Sequence, residues 1–317
     1  EAHGLTDAHP RPRFGEHAPL ATPGGVVFFG RDMESSRQVW SSESGYPGDF
    51  DYREFYRDIG WELPLEYLGD TVPDGLRKNV GIKYYRVTGK VALHEKEPYV
   101  PAWARDKAAS HAGNFLGHRQ AQVMQAAAGM RQPPLVVSPY DAELFGHWWF
   151  EGPMFLDFLF RKMHFDQDVV KPITPPEFLA RFPELEVAQP PMSTWGAQGF
   201  ADVWLNPSND WIYPHLEVAA ERMVELARRY PDADPLRRRA LNQAARELLL
   251  AQASDWAFIL KTGTTVEYAR KRTQDHVARF THLYRALTGA EELREDFLRE
   301  FEERDNIFPA IDYSVYR

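Results

Sequence analysis

Residues 135–153 read LVVSPYDAELFGHWWFEGP. The apolar run at 135–139, with prolines on both sides, is typical of a short buried strand. The carboxylates Asp141 and Glu143, then His147, Trp148 and Trp149, follow where this strand would end. Catalytic groups of α/β folds lie at the exits of strands. The segment therefore predicts one strand of a β/α barrel that carries a functional site at its end.

The residue types of this segment suit a carbohydrate. Asp141 or Glu143 can protonate a glycosidic oxygen, and the indole faces of Trp148 and Trp149 can pack on pyranose rings. If the strand continued, Asp141 and Glu143 would share one face. A buried aromatic cluster that closes a core explains the same residues equally well. The chemistry of the segment alone leaves both interpretations open.

Short strands and helices alternate around this segment. The pattern predicts a strand at 26–29, a hairpin over 80–94 that turns at Gly89-Lys90, and helices over 105–130 and 153–163. A helix, then a strand, then polar groups is the order found in a β/α barrel. The first half of the chain is therefore predicted to be the rear of such a barrel.

The pattern becomes helical beyond a proline-rich stretch at 172–191. Helices are predicted over 216–229, 235–252 and 265–287. Asp234 is expected to cap the second of these helices, and Gly289 to end the third. A helical domain should therefore follow the barrel.

Composition excludes several classes of function. The net charge of −9 argues against nucleic-acid binding, which needs clustered Lys and Arg. The chain has no cysteine, so disulfides and thiolate metal sites are excluded, and a reducing cytoplasm is the expected location. No stretch reaches the roughly 20 apolar residues that a membrane helix needs. We expect no metal, no cofactor and no membrane partner.

Five stretches together resemble glycoside hydrolase family 57, in the form of its 1,4-α-glucan branching enzymes. They are FGRD at 29–32 with QVW at 38–40, GYPGD at 45–49, YREFYRDIG at 52–60, the 140–153 segment, and LLLAQASDW at 248–256 with KTGT at 261–264. The resemblance implies an α/β fold: the rear part of a distorted (β/α)7-type barrel over 1–185, then an all-helical C-terminal domain over 186–317 that lines the cleft. It implies that an α-1,4 link of a glucan is cleaved and an α-1,6 branch is formed.

The resemblance also implies roles for individual residues. Asp141 is the general acid/base of a retaining mechanism, which Glu143 rivals on residue chemistry alone. The family's nucleophilic Glu lies upstream of this region and has no counterpart here, so we expect a C-terminal portion of a longer protein. The implied glucan-binding residues are Arg31, Trp40, Tyr46, Gly48, His147, Trp195, Trp204, Asp255 and Thr264. Asp255 is expected to be buried at the end of a helix, where the helix dipole disfavours a carboxylate.

Three other interpretations remain. A hydrolase of the same family, an α-amylase or amylopullulanase, would use identical chemistry at Asp141. A non-catalytic glucan-binding protein would keep Trp40 and Trp195 without needing Asp141. A metal enzyme is disfavoured because the histidines are scattered without a close pair. The oligomeric state is left open.

Overall fold

The computed structural model describes residues 13–40, 45–192, 194 and 199–317. The chain divides into two compact units, Glu1–Pro191 and Met192–Arg317. Helix is the most common regular secondary structure among the described residues of both units.

The first unit combines helices with a small sheet. Its helices are α1 (Met33–Trp40), α2 (Ile59–Glu62), α3 (Leu65–Leu68), α4 (Pro101–Ala127), α5 (Gly152–Phe165) and α6 (Pro175–Arg181). Its strands are β1 (Leu20–Ala21), β2 (Val27–Phe28) and β3 (Glu186–Val187). β1 pairs antiparallel with β2, placing Leu20 opposite Phe28, and parallel with β3, placing Leu20 opposite Glu186.

Packing of α4 against α5 forms the main core of this unit. Ala104, Ala108 and Ala112 recur every four residues along α4, so one narrow apolar face lets the helices approach closely. Phe155 and Leu159 of α5 fill this interface. Pro153 near the start of α5 fits a position where no backbone N–H is needed.

The second unit is a helical bundle. It contains α7 (Ile212–Arg229), α8 (Pro235–Ala251), α9 (Asp255–Thr262), α10 (Val266–Thr288) and α11 (Glu295–Arg304). α8 packs along α10 with a core that includes Leu248 and Phe280. As predicted, Asp234 caps α8 through the Arg237 N–H at 3.0 Å, and Gly289 ends α10 in the left-handed conformation.

Two predictions of regular strands are wrong. Residues 135–139 are extended but make isolated hydrogen bonds: Leu135 N–H donates to His17 O and Asp32 N–H to Val137 O, both at 2.8 Å. Flanking prolines lack the N–H that would extend a ladder. Residues 84–88 pair with 50–54 and with 97–99 instead of forming a hairpin within 80–94. The described residues therefore contain only three strands, each two residues long, and a regular barrel is not seen among them.

None of the described helices is both long and apolar enough to cross a membrane.

Candidate active site

Asp141 begins a tight loop that is held together by its own backbone. It precedes a 3₁₀ turn at Ala142–Leu144, whose Leu144 N–H donates to Asp141 O at 3.2 Å. Further on, Trp149 N–H donates to Leu144 O at 2.9 Å, and Gly146 N–H to Trp149 O at 2.8 Å. Gly146 has a φ of +106°, which favours glycine. The loop therefore has a defined conformation before any side chain is considered.

The loop is anchored by buried side chains. Leu144 and Trp149 belong to the core between α4 and α5, and the Trp149 ring lies 5.0 Å from that of Phe155. A Cβ on Gly152 would lie 2.8 Å from the Cα of Phe145, so only glycine lets α5 start this close to the loop. Trp148 is half-buried beside the same core. Trp149 is thus a core residue rather than a surface for a sugar ring.

The polar side chains of the loop face outward. Asp141 is exposed, and its carboxylate has no hydrogen-bond partner in the described part of the chain. Glu143 is also exposed, but it lies on the 3₁₀ turn, so the expectation that a strand gives it the same face as Asp141 is wrong. His147 is exposed and meets the Phe55 ring edge-on at 5.7 Å.

The FGRD segment is fixed by a buried ion pair. Asp32, only 1% exposed, accepts the Ser35 N–H at 2.7 Å and so caps α1, and Arg119 of α4 lies 3.3 Å from the same carboxylate. Burial alone would raise the pKa of Asp32, but hydrogen bonds from Ser35 and Gln122 and the charge of Arg119 outweigh burial and lower it. Arg31 Nε donates to Ser36 Oγ at 2.9 Å. This network sets the direction in which α1 leaves Arg31.

Hydrogen bonds tie three predicted site segments into one assembly. The Tyr140 hydroxyl donates to Ser35 O at 2.9 Å, which joins the Asp141 loop to α1. Gln38 of α1 donates to the Tyr46 hydroxyl at 3.1 Å, which joins α1 to the 3₁₀ turn Tyr46–Gly48. Trp40 ends α1 and is half-buried. In the first unit, the structure thus connects the segments that carry the six described candidates: Arg31, Trp40, Tyr46, Gly48, Asp141 and His147.

Glu151, at the far end of the loop, is a buried carboxylate. It is 1% exposed, and Oε1 accepts the Arg53 N–H at 3.1 Å. Oε2 is buried without a hydrogen-bond partner among the residues described. Burial raises its pKa, and the hydrogen bonds that Glu151 accepts only partly offset this effect. Glu151 therefore links the loop to the 52–60 segment at an electrostatic cost.

Sequence reasoning missed three residues: Glu151, and Arg119 and His111 of α4. Nothing in the local pattern marks a buried Glu among aromatic residues. A signal did exist on α4, because Lys107, His111 and Asn114 recur at helical spacing and interrupt an alanine-rich face.

The second unit holds the remaining described candidates. Trp204 is half-buried after the 3₁₀ turn Ala201–Val203, and its carbonyl accepts the Tyr213 hydroxyl. Buried Asn209 donates to Val203 O and Ala257 O, each at 3.0 Å, which joins this turn to α9. Trp195 lies outside the described residues.

Asp255 differs from its prediction. It is exposed and is the first residue of α9, where the helix dipole favours a carboxylate. The expectation of a buried Asp at a helix C-terminus is wrong, because α8 ends at Ala251 and a new helix begins. Thr264 is exposed beyond the other end of α9, and a helix of this length spans about 12 Å. The two side chains therefore lie near opposite ends of α9.

A buried group of possible metal ligands also lies in the second unit. Glu247, His276 and Asp305 have ligand atoms within 4.8 Å of one another. Arg279 Nη1 lies 2.6 Å from Asp305 and 3.8 Å from Glu247, so a guanidinium already neutralises these carboxylates. The arrangement is an internal ion-pair cluster.

The site thus offers one exposed carboxylate on a hydrogen-bonded loop, beside segments rich in aromatic residues, and glycoside hydrolases act with a pair of such carboxylates. Comparisons with known proteins agree. Residues 215–316 match the family described as "1,4-alpha-glucan branching enzyme, C-terminal". The chain is 35% identical over 296 residues to the 1,4-alpha-glucan branching enzyme TK1436 of Thermococcus kodakarensis, a match that covers 92% of this chain and 41% of the relative.

Solved structures also match the chain. The alpha-amylase AmyC of Thermotoga maritima matches with a TM-score of 0.77 and 45% identity, covering 96% of this chain and 57% of that one. The GH57-type branching enzyme of Pyrococcus horikoshii matches with a TM-score of 0.75 and 35% identity, covering 95% and 54%. The resemblance to the branching enzymes of glycoside hydrolase family 57 is therefore confirmed. The chain spans about half the length of the relatives it matches.

Proposed function

We propose that this chain carries the general acid/base of a 1,4-α-glucan branching enzyme, and that Asp141 is that residue. A nucleophilic carboxylate from another part of the protein attacks the anomeric carbon while Asp141 protonates the departing glycosidic oxygen. The ionised Asp141 then takes the proton from a glucan 6-hydroxyl. The oxygen of this hydroxyl attacks the anomeric carbon, the bond to the nucleophilic carboxylate breaks, and an α-1,6 link forms. The observation that carries this proposal is the exposed carboxylate of Asp141, without a partner among the described residues, on a loop anchored by Trp149.

The surrounding side chains support an α-glucan as the substrate. Trp40 and Tyr46 lie on segments tied to the Asp141 loop, and aromatic faces pack well on pyranose rings. We propose glucan contacts for Arg31, Trp40, Tyr46, Gly48 and His147 in the first unit, and for Trp195, Trp204, Asp255 and Thr264 in the second.

We also propose that residues 1–185 are the rear of a distorted (β/α)7-type barrel and that residues 186–317 are a helical domain. The barrel proposal is supported by a groove of about 860 Å³ in the first unit. Side chains of α4 and α5, together with the extended residues 133–136, make its lining mainly apolar. A further strand or helix packed there would bury this surface, as neighbouring elements of a barrel do.

The test is the reaction itself, measured on the full-length protein with amylose. Branching should lower iodine staining and create α-1,6 signals in the proton NMR spectrum, while reducing ends stay nearly constant. The Asp141→Asn variant should lose both signals, and Glu143→Gln, in the same loop, should keep them. An active Asp141→Asn enzyme would remove Asp141 from this role.

A hydrolase is the second candidate, because the chain is 45% identical to a structure described as an alpha-amylase. Site chemistry would be the same, with water replacing the 6-hydroxyl acceptor. Reducing ends would then rise in step with the loss of staining, and no α-1,6 signal would appear. Glucan binding without turnover would instead indicate a non-catalytic glucan-binding protein.

We propose the cytoplasm as the location, supported by a chain of 317 residues without cysteine. Cell fractionation with an antibody against this chain tests it.

A further inference from the structure

One face of α4 contacts the loop that carries Tyr46 and Gly48. Lys107 lies 3.6 Å from Asp49, His111 stacks on the Tyr46 ring, and Asn114 accepts the Tyr46 hydroxyl at 2.6 Å. These three α4 residues occupy successive turns of one helix. Tyr46 is therefore held by α4 at its ring and at its hydroxyl.

The contacts of His111 define its protonation state. Its ring lies 4.5 Å from the Tyr46 ring at an interplanar angle of 28°, and its Nδ1 lies 2.9 Å from the Tyr52 hydroxyl. Tyr52 is fully buried, and burial raises its pKa, so its hydroxyl stays protonated. A proton on Nε2 would face the Asp49 carboxylate, which favours the tautomer in which Nδ1 accepts from the Tyr52 hydroxyl. The imidazole proton is then on Nε2, which points to Asp49 Oδ2 at 3.6 Å.

We propose that His111 is a positioning residue: as the neutral imidazole, it fixes the Tyr46 ring and the Tyr46–Gly48 turn as a wall of the glucan site. The inference rests on the proposed function, because it assigns that wall to a glucan. A bound glucose ring would meet a Tyr46 face that is already oriented, so little conformational entropy is lost on binding.

Burial and the surrounding charges set the pH at which His111 becomes protonated and can no longer accept a hydrogen bond from Tyr52. Burial lowers the pKa of His111 most, Asp49 acts in the opposite direction, and Lys107 on the same helix lowers it again. The other titratable groups facing His111 are Tyr46 and Tyr52, and Glu151 lies behind Tyr52. A histidine with a lowered pKa stabilises the fold above its ordinary pKa and loses that contribution as pH falls through the lowered value. The imidazolium ring also cannot accept a hydrogen bond from the Tyr52 hydroxyl, because both of its nitrogens carry protons.

Three variants separate the two contacts of His111. His111→Phe keeps a ring for Tyr46 but leaves the buried Tyr52 hydroxyl without an acceptor. His111→Gln keeps an acceptor oxygen but loses the ring. Tyr52→Phe removes the donor and leaves His111 in place. His94→Gln is the matched control, because His94 is exposed in the 3₁₀ turn Leu93–Glu95.

The first experiment is NMR of the ¹⁵N-labelled 317-residue chain, which reads the histidine rings without any glucan. His111 should show the tautomer protonated at Nε2 and a titration midpoint below its ordinary value of about 6.5. A proton on Nδ1, or an ordinary midpoint, would overturn the proposal whatever the chain binds.

The second experiment is calorimetric titration of the same chain with maltoheptaose. We expect His111→Phe to weaken binding about tenfold at pH 7, equivalent to about 1.4 kcal/mol, and His94→Gln to leave it unchanged. The parent should lose affinity on acidification through the His111 midpoint, His111→Phe should lack this step, and His111→Gln should recover part of the affinity. Unchanged affinity in His111→Phe overturns the positioning role. A parent chain that shows the expected tautomer but does not bind maltoheptaose overturns the proposed glucan site instead.

Discussion

Replacing Gly152 with alanine should disturb the Asp141 loop from its far end. The added Cβ would lie 2.8 Å from the Phe145 Cα and 2.9 Å from its Cδ1, and the first of these is backbone that cannot rotate away. Either α5 must retreat from the loop or Phe145 must move by several tenths of an ångström. Both movements loosen the packing of Trp149 beneath the loop.

The magnitude follows from overpacking. Forcing one extra carbon into a well-packed core costs about 1–3 kcal/mol, whereas Gly→Ala inside a helix usually stabilises by up to about 1 kcal/mol. Because Gly152 is the first residue of α5 and is buried, we expect the overpacking cost to dominate. Gly117→Ala is the matched control: it lies within α4, and no atom lies within 4 Å of its added Cβ. It should be neutral or stabilising.

Hydrogen exchange during urea denaturation measures both effects on the intact chain. We expect Gly152→Ala to speed exchange of the Gly146 and Trp149 amides, which donate to the loop's own carbonyls, and to lower the urea midpoint of the first unit. Exchange in the second unit should not change. If Gly152→Ala matches the parent in both midpoint and loop exchange, the close approach of Phe145 to α5 is wrong.

Other substitutions test the remaining features. Asp141→Asn should leave the melting temperature unchanged, because the described residues give its carboxylate no partner. It should lower kcat of the full-length enzyme by about 10²–10⁴-fold. A fall in melting temperature would show a structural role. Because the pKa of Asp32 is lowered, its stabilising effect is present above its ordinary value and is lost as pH falls through the lowered pKa. Asp32→Asn should therefore flatten the acid denaturation curve of the first unit, and an unchanged curve would contradict the Arg119 ion pair. His276→Phe should destabilise the second unit by about 1–3 kcal/mol, since Glu247 loses a hydrogen bond of 2.7 Å inside the core. Calorimetry measures this loss of stability, and an unaltered unfolding transition would refute the prediction.

Helices and their ends were predictable from local chemistry. α8 begins at Pro235 after the Asp234 cap, and α10 ends at Gly289, because each signal acts within one turn. Strands depend on distant partners, so the predicted hairpin over 80–94 pairs elsewhere. The start of α9 at Asp255 was missed because only three residues separate it from α8.

Sequence motifs pointed to candidate residues of the site but not to the buried residues that support them. Asp141 and Tyr46 were found through motifs, and they lie on segments that hydrogen bonds connect. The buried supports, Glu151 and His111, depend on which aromatic residues surround them. Such surroundings arise only when segments about 60 to 100 residues apart pack together, as the hydrogen bonds Tyr52–His111 and Arg53–Glu151 show. A local sequence pattern contains no information about these surroundings.

The parallel pairing of β1 with β3 has a consequence for the order of folding. Leu20 meets Glu186, so this small sheet closes a loop that contains nearly all of the first unit. Closing so long a loop costs entropy before any contact compensates for it, and chains dominated by distant contacts fold slowly. The second unit, in which α8 packs along α10 and α7 meets both, relies on helices that lie closer together in sequence than β1 and β3. In a refolding experiment, the helical unit should reach its native protection within milliseconds, while the sheet that joins Leu20 to Glu186 should form last.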